Sequence, residues 1–429
     1  MLLGEKLAEN DAVMYKDVWD DTAPLAAGTY WLLHEVFGRS HLTYQILGFV
    51  LILVQCVLFN YLLLRNKAYN ENTYVPALIY GLLMFSFFQF YTLSPALISL
   101  TFVLLAINNA FFDIEHKTAV NSLLSTGMLM AIASLFYLPS LILVVALLFS
   151  YLLFTGTTPK SYFLFLYGLA LPWLLIIVYY YWNNALFEFY INYVYAVVFL
   201  EYSSYMDYSM LIYIVIVPFI FLMLSFVKLF EAKRFTNFQE RFQQTMFFLF
   251  IMALVAWWIS NNRMPALLVL FIPVGAFYIS HFFLLIRRRF ITEIVFSVFF
   301  LTMLFVHFSS LYQWSPVSNY LNYSKLLVQP TEYDELAANK KILFIGTDLS
   351  VYKNSSLATP YLNWKLSSMQ LAQPEYYDNL LAIYHHFSTD KPEVIIDTKG
   401  VMEQLYQKVP ALNVEYKKGK KENVYILSN

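Results

Sequence analysis

Long apolar runs separated by short polar joints organise most of this chain. A bilayer core of about 30 Å needs roughly 20 apolar residues per helix. Ten runs approach or reach that length, at 42–64, 75–93, 95–112, 121–138, 140–155, 161–182, 209–227, 245–259, 264–286 and 291–311. The tight junctions Leu93-Ser94-Pro95 and Leu138-Pro139-Ser140 predict hairpin turns between neighbouring spans, because Pro and Ser break a helix while leaving the loop short. Two further stretches, 24–37 and 183–208, are apolar but studded with Tyr, Asn and Glu, and predict helices lying in a membrane interface. The first of them opens on Pro24, which a first helical turn tolerates.

From about Ser315 the pattern becomes that of a water-soluble protein. Residues 340–346 form a buried-strand run ending in Gly346, and 392–397 form a second. Helical spacing occupies 374–387 and 401–409, and 413–416 with 423–427 resemble a closing pair of strands. The alternation predicts a small α/β domain in three layers. The expected fold class is therefore an α-helical polytopic membrane protein of about ten transmembrane helices with a small C-terminal α/β domain. Its parts are an acidic extracytoplasmic loop with an interfacial helix (1–41), a transmembrane bundle (42–314) and an extracytoplasmic α/β domain (315–429).

Composition closes off the soluble alternative. Hydrophobic residues make up 60% of the chain and charged residues 13%, against roughly half and a quarter in soluble domains. One aqueous core could not hide that excess, so it must face lipid. The single cysteine, Cys56, lies in an apolar run and excludes disulfides and a cysteine metal site. No basic cluster with interleaved aromatics points to nucleic acid. The first fifteen residues carry Glu5, Glu9 and Asp11 and no apolar centre, unlike a cleavable signal.

The net charge of −1 hides a strong segregation. Alternate short loops hold eleven basic residues: Arg65, Lys67, Lys117, Lys160, Lys228, Lys233, Arg234, Arg241 and the run Arg287-Arg288-Arg289. The opposite short loops hold Arg263 and the acidic Glu188, Glu201 and Asp207. The positive-inside rule places the eleven in the cytoplasm, which puts the N-terminal segment and the C-terminal domain outside it.

Candidate chemistry is sparse within the spans. Glu293 lies near a helix end, His281 and His307 are isolated, and Gln55, Gln89, Asn108 and Asn109 suit hydrogen bonding between helices. Without buried charges a coupled pump is disfavoured. Gly346-Thr347-Asp348 is not a nucleotide-binding turn, so no nucleotide cofactor is expected. The polar density lies instead in Tyr15-Lys16-Asp17-Val18-Trp19-Asp20-Asp21-Thr22-Ala23-Pro24-Leu25. Asp17, Asp20 and Asp21 could supply a general base or hold a divalent cation, and the same pattern suits a solvated acidic turn.

The stretch from Tyr15 through Lys16, Asp17, Pro24 and Leu25 to Phe37-Gly38-Arg39-Ser40 resembles the first extracytoplasmic loop of the GT-C glycosyltransferases. Asn262-Arg263-Met264-Pro265 resembles their late loop, where a basic residue approaches the donor phosphate. The resemblance implies an enzyme of the bacterial cytoplasmic membrane that moves a sugar from a polyprenyl-phosphate donor to a glycan or lipid acceptor at the outer face. Asp17, Asp20 and Asp21 would be the catalytic carboxylates and Arg263 the donor phosphate-binding residue. Asp17 and Asp21 would be the ligands of any divalent cation, Mg or Mn. Members normally carry a first helix and an acidic pair before this stretch; here Glu5 is the nearest upstream candidate, implying a truncated start or a relative without that helix. The alternatives are a non-catalytic scaffold or lipid carrier built on the same plan, and a facilitator-type transporter.

Overall fold

The computed structural model describes the chain except for residues 10–11, 117–118, 157, 200–202, 205–206, 232–234, 261, 315–320, 322, 324–325, 420 and 429. The side chains of 119–121, 198–199, 203–204 and 262–263 are also outside the description. The expected charges at Lys117, Lys233, Arg234 and Glu201, and the start of the C-terminal domain at Ser315, fall on those residues.

Among the described residues, seven helices are long and apolar enough to cross a membrane: His41–Arg65, Pro95–His116, Pro159–Trp182, Tyr208–Glu231, Asn237–Ile259, Pro265–Leu285 and Arg289–Tyr312. Three shorter apolar helices, Val75–Met84, Ser122–Phe136 and Leu138–Phe154, stand where three further runs are read in the sequence. Large apolar side chains remain uncovered along these helices, among them Val57, Phe163, Leu175 and Leu301. Water does not tolerate apolar surface on that scale, and lipid does. This is a multi-pass membrane protein.

The chain divides into two compact units. One comprises His41–Ile176 and Tyr202–Tyr323, and holds most of the apolar helices. Its polar side chains join helices to one another. Gln55 donates to the Leu97 carbonyl at 2.7 Å and to Thr101 at 2.8 Å, and accepts from Tyr80 at 3.0 Å. Asn66 donates to Asn108 at 3.1 Å, and Asn109 to Ser125 at 3.0 Å. His281 is buried among rings, 4.5 Å from Tyr69 and 4.8 Å from Phe277. These groups are structural, as their isolation in sequence suggests. Asp113 departs from the expectation of uncharged spans: the helix runs on to His116 and buries this carboxylate, which accepts from Tyr151 at 2.9 Å and from Ser122. Close helix contact at Gly127 and Gly168 completes the packing. A Cβ at Gly127 would lie 2.2 Å from the Phe165 carbonyl oxygen, and one at Gly168 2.3 Å from that of Leu124.

The second unit gathers three separate pieces, Met1–Ser40, Ile177–Glu201 and Ser324–Asn429. Its centre is a five-stranded sheet of order β2-β1-β3-β5-β4, with β1 Lys341–Ile345, β2 Ser356–Leu357, β3 Val394–Asp397, β4 Tyr416–Lys418 and β5 Val424–Leu427. The two central strands, β1 and β3, pair in parallel from Ile342↔Val394 to Ile345↔Asp397, and their continuous apolar runs reflect burial on both faces. Asp397, buried at the end of β3, accepts from the N–H groups of Lys399, Gly400 and Met402 at 2.7–2.9 Å. It thereby starts the helix Val401–Lys408. Gly400 sits at φ +72°, where a side chain would be strained. The expected strand at 413–416 is mostly helix, Pro410–Glu415, with β4 beginning only at Tyr416. Pro410 in the first turn favours that outcome, and Leu412 gains a buried position from it.

Candidate active site

The acidic segment is held in place from Tyr15. This residue is fully buried and adopts φ 73°, a backbone conformation that costs a bulky side chain about 1–3 kcal/mol. Its surroundings offset the strain. The Tyr15 hydroxyl donates to the Thr22 carbonyl at 2.6 Å, and its own carbonyl accepts from Asn192 at 2.9 Å. Its ring packs against Tyr180, Phe189 and Tyr193 with centroids 5.3–5.8 Å away. The helical stretch of the Ile177–Glu201 piece thus supplies a socket for one side chain of the acidic segment.

Beyond this anchor the segment is bonded to the C-terminal sheet domain. The Trp19 N–H donates to the Pro360 carbonyl at 2.8 Å, and the Asn363 N–H donates to the Trp19 carbonyl at 3.1 Å. The Trp19 indole packs against the domain's apolar core and meets Tyr361 edge-on at 5.4 Å.

The three carboxylates receive different environments. Asp20 accepts from the Thr22 N–H at 2.8 Å, closing a turn on itself. Burial pushes its carboxyl above the usual range, against the lowering effect of the Thr22 hydrogen bonds. Asp21 accepts from the Asn363 side-chain amide at 3.3 Å. Asp17 is exposed; its Oδ2 accepts from the Val13 N–H at 2.8 Å and its Oδ1 has no protein partner among the described residues. The geometry therefore separates one outward-facing carboxylate from two that hold the segment's shape. Glu5, the upstream candidate, is paired with Arg39 at 3.3 Å.

Among the described residues no group of three or more His, Cys, Asp or Glu side chains converges as a metal site. Asp17 and Asp21 are therefore not members of such a group among the described residues.

The structure adds His386, which sequence reading passed over. It lies on the helix Tyr377–Thr389, half-buried, with Nδ1 2.9 Å from the Tyr361 hydroxyl. Trp19 and Tyr361 both present their rings edge-on to the imidazole, at 6.1 and 5.4 Å. Burial holds its pKa down to about 4, helped by neighbouring His385 and opposed by the charge of Asp17. One histidine among the chain's seven carries no spacing signal; only the folded chain brings it to Trp19 of the acidic segment.

Arg263 stands in a two-residue parallel bridge, its backbone in register with Ser204, and its side chain lies outside the described residues. The membrane unit contains an apolar cavity of about 300 Å³ lined by Phe90, Ile214, Pro218, Leu254 and Phe271, with Ser86 and the Trp257 indole as the lining side chains that carry polar atoms. Ser86 turns its hydroxyl to the Leu83 carbonyl at 2.7 Å.

A family model described as "Family of unknown function (DUF6427)" matches residues 25–314, well over half the chain. The chain belongs to the DUF6427 family. The match ends before the sheet domain and begins after Asp17, Asp20 and Asp21, so the acidic segment of this DUF6427 protein lies outside the family's shared region. No curated protein matches the sequence. Among solved structures the chain is similar to the crystal structure of ArnT from Cupriavidus metallidurans bound to undecaprenyl phosphate. The superposition has a TM-score of 0.56 at 11% identity and covers 99% of this chain and 92% of ArnT. At that identity the likeness shows the fold alone, which for the DUF6427 protein is ArnT-like.

Proposed function

We propose that this protein is a membrane glycosyltransferase that moves a sugar from a polyprenyl-phosphate donor to a glycan or lipid acceptor on the extracytoplasmic face. The observation that carries the reading is the likeness of fold to ArnT along nearly the whole of both chains, sheet domain included. ArnT was crystallised with undecaprenyl phosphate, and the 300 Å³ apolar cavity in this chain's helical unit is of the kind that accepts an isoprenoid tail.

In this reading Asp17 meets the acceptor hydroxyl, while Asp20 and Asp21 keep the segment in shape. Arg263 neutralises the phosphate that leaves with the lipid, since a guanidinium offers several donors in one plane. The acidic segment 1–41 and the domain 315–429 lie outside the cytoplasm, consistent with the eleven basic residues in the alternate loops. Transfer from a lipid-linked sugar needs no nucleotide at the site.

The experiment is sugar transfer from a radiolabelled polyprenyl-phosphate donor in proteoliposomes, run beside a donor-binding measurement. Asp17→Asn is expected to lower transfer by at least about 100-fold with donor binding retained. Arg263→Ala is expected to weaken donor binding by about 1.5–3 kcal/mol, the worth of one charged hydrogen bond. Wild-type rates in Asp17→Asn would remove that residue from the mechanism. A wild-type chain inactive with every donor tried would favour a non-catalytic lipid-binding scaffold.

A further inference from the structure

A neutral imidazole can take a proton from a hydroxyl, and this chain places one, His386, edge-to-ring with Trp19 of the acidic segment, centroids 6.1 Å apart. The Tyr361 hydroxyl lies 2.5 Å from Gln370 Oε1 and 2.9 Å from His386 Nδ1. Tyr361 has one proton, which goes to the Gln370 carbonyl oxygen. Nδ1 of His386 must then be the donor to Tyr361, so the other ring nitrogen, Nε2, carries the lone pair. Nε2 has no protein partner among the described residues and is not sealed from solvent. Trp19 and Tyr361, each edge-on to the ring, hold its plane.

The charged groups around the ring are His385 on the same helix and Asp17 from the acidic segment. Asp390, one turn further along, is taken up by Lys6 and Lys341. Asp17 forms no ion pair with His386, yet its charge acts on the ring and favours the protonated form. An imidazole with a fixed tautomer, an open Nε2 and a carboxylate to steady the cation is the arrangement a general base requires.

We propose that His386 is the general base of the transfer reaction, with Asp17 orienting the acceptor and stabilising the imidazolium. This rests on the glycosyl-transfer reading. The acceptor hydroxyl gives its proton to Nε2 of His386 as its oxygen bonds to the anomeric carbon of the donor sugar. The bond from that carbon to the phosphate oxygen breaks, and the lipid phosphate leaves with the electron pair. The imidazolium then returns its proton to water. Tyr361 and Gln370 are positioning residues that keep Nδ1 protonated.

The test uses the full chain in proteoliposomes with the radiolabelled donor, measuring kcat and KM from pH 4 to 8. His386→Gln is expected to lower kcat by at least about 100-fold with the donor KM unchanged. Wild type is expected to show an acid limb near pH 4, which the residual rate of His386→Gln should lose. Asp17→Asn should keep an acid limb and move it to lower pH, because the carboxylate no longer favours protonation. Tyr361→Phe keeps the ring and the fold, and should lower kcat through loss of the tautomer while leaving KM in place. Wild-type kcat and an unchanged acid limb in His386→Gln would overturn the proposal while leaving glycosyl transfer intact. So would loss of the limb in Asp17→Asn, which makes Asp17 the base. Failure of the wild-type chain with every donor would instead remove the glycosyl-transfer reading, and this proposal with it.

Discussion

Asp390 offers a direct measure of what fastens the N-terminal helix to the sheet domain. Leu2–Ala8 presents Lys6, a buried residue at 8% exposure. Lys6 donates to Asp390, to Glu9 at 3.0 Å and to the Leu357 carbonyl at 3.2 Å. Lys341 reaches the same Asp390 at 3.4 Å. Burial works against the Asp390 carboxylate, but the bonds and charges of Lys6 and Lys341 outweigh it and hold its pKa below the usual range. Asp390→Asn keeps the shape and can still accept from the Thr359 N–H at 3.0 Å, so it removes the charge and little else.

The expected cost is about 1.5–3 kcal/mol, that of one charge-assisted hydrogen bond. Glu9 is 30% exposed, and Glu9→Gln alone should cost under about 1 kcal/mol. Together the two substitutions leave Lys6 buried without a countercharge, which costs about 3–5 kcal/mol and exceeds the sum of modest single losses. Lys6→Met in that double background removes the stranded charge and should recover part of the stability. Hydrogen exchange across 2–9 and 356–362 in the detergent-solubilised full chain reads the opening free energy of this contact. Because the Asp390 pKa is depressed, its contribution is full above the unfolded value of about 3.9 and fades as pH falls through the folded value. Wild type and Asp390→Asn should therefore converge in strong acid. A cost under about 0.5 kcal/mol for the single variant, or no recovery with Lys6→Met, would refute the reasoning.

Three further outcomes follow from the structure. Gly127→Leu or Gly168→Leu should split the helix contact and lower the thermal stability of the solubilised protein, since each Cβ meets backbone within 2.3 Å; unchanged melting would show that the helices do not approach there. In a Cys56→Ser background, cysteines at Glu35 and Glu375 should both label from outside intact cells and one at Arg288 should not, a split result breaking the proposed topology. Acidification should destabilise the sheet-containing unit: His386 has its folded pKa near 4 and an unfolded value near 6.5, so the unfolded chain binds more protons between those limits. Stability there should fall by up to about 1.4 kcal/mol per pH unit, and His386→Gln should flatten the slope of hydrogen-exchange protection against pH.

The apolar runs and their punctuation determined the membrane part directly. A helix buries its own backbone groups, so a run of apolar residues is enough to place it in lipid, and each of the ten runs has a helix at its position. The Pro24–Phe37 helix and the strands Lys341–Ile345 and Val394–Asp397 were legible for the same reason: local period and local breakers decide them. Asp17, Asp20 and Asp21 could be picked out as a dense acidic group but not told apart, because their exposure is set by how the whole segment is held against distant parts of the chain. Val13 and Thr22 are near neighbours, whereas Asn363, Pro360 and the socket around Tyr15 come from residues far along it. His386 shows the limit most clearly. Nothing in the spacing of Tyr384-His385-His386-Phe387 marks a base; burial, the Tyr361 hydroxyl and Asp17 do, and they come from other segments of the chain. Secondary structure follows from interactions within a few residues, which a sequence displays. The character of a titratable group follows from solvent exclusion and long-range neighbours, which only the tertiary structure decides.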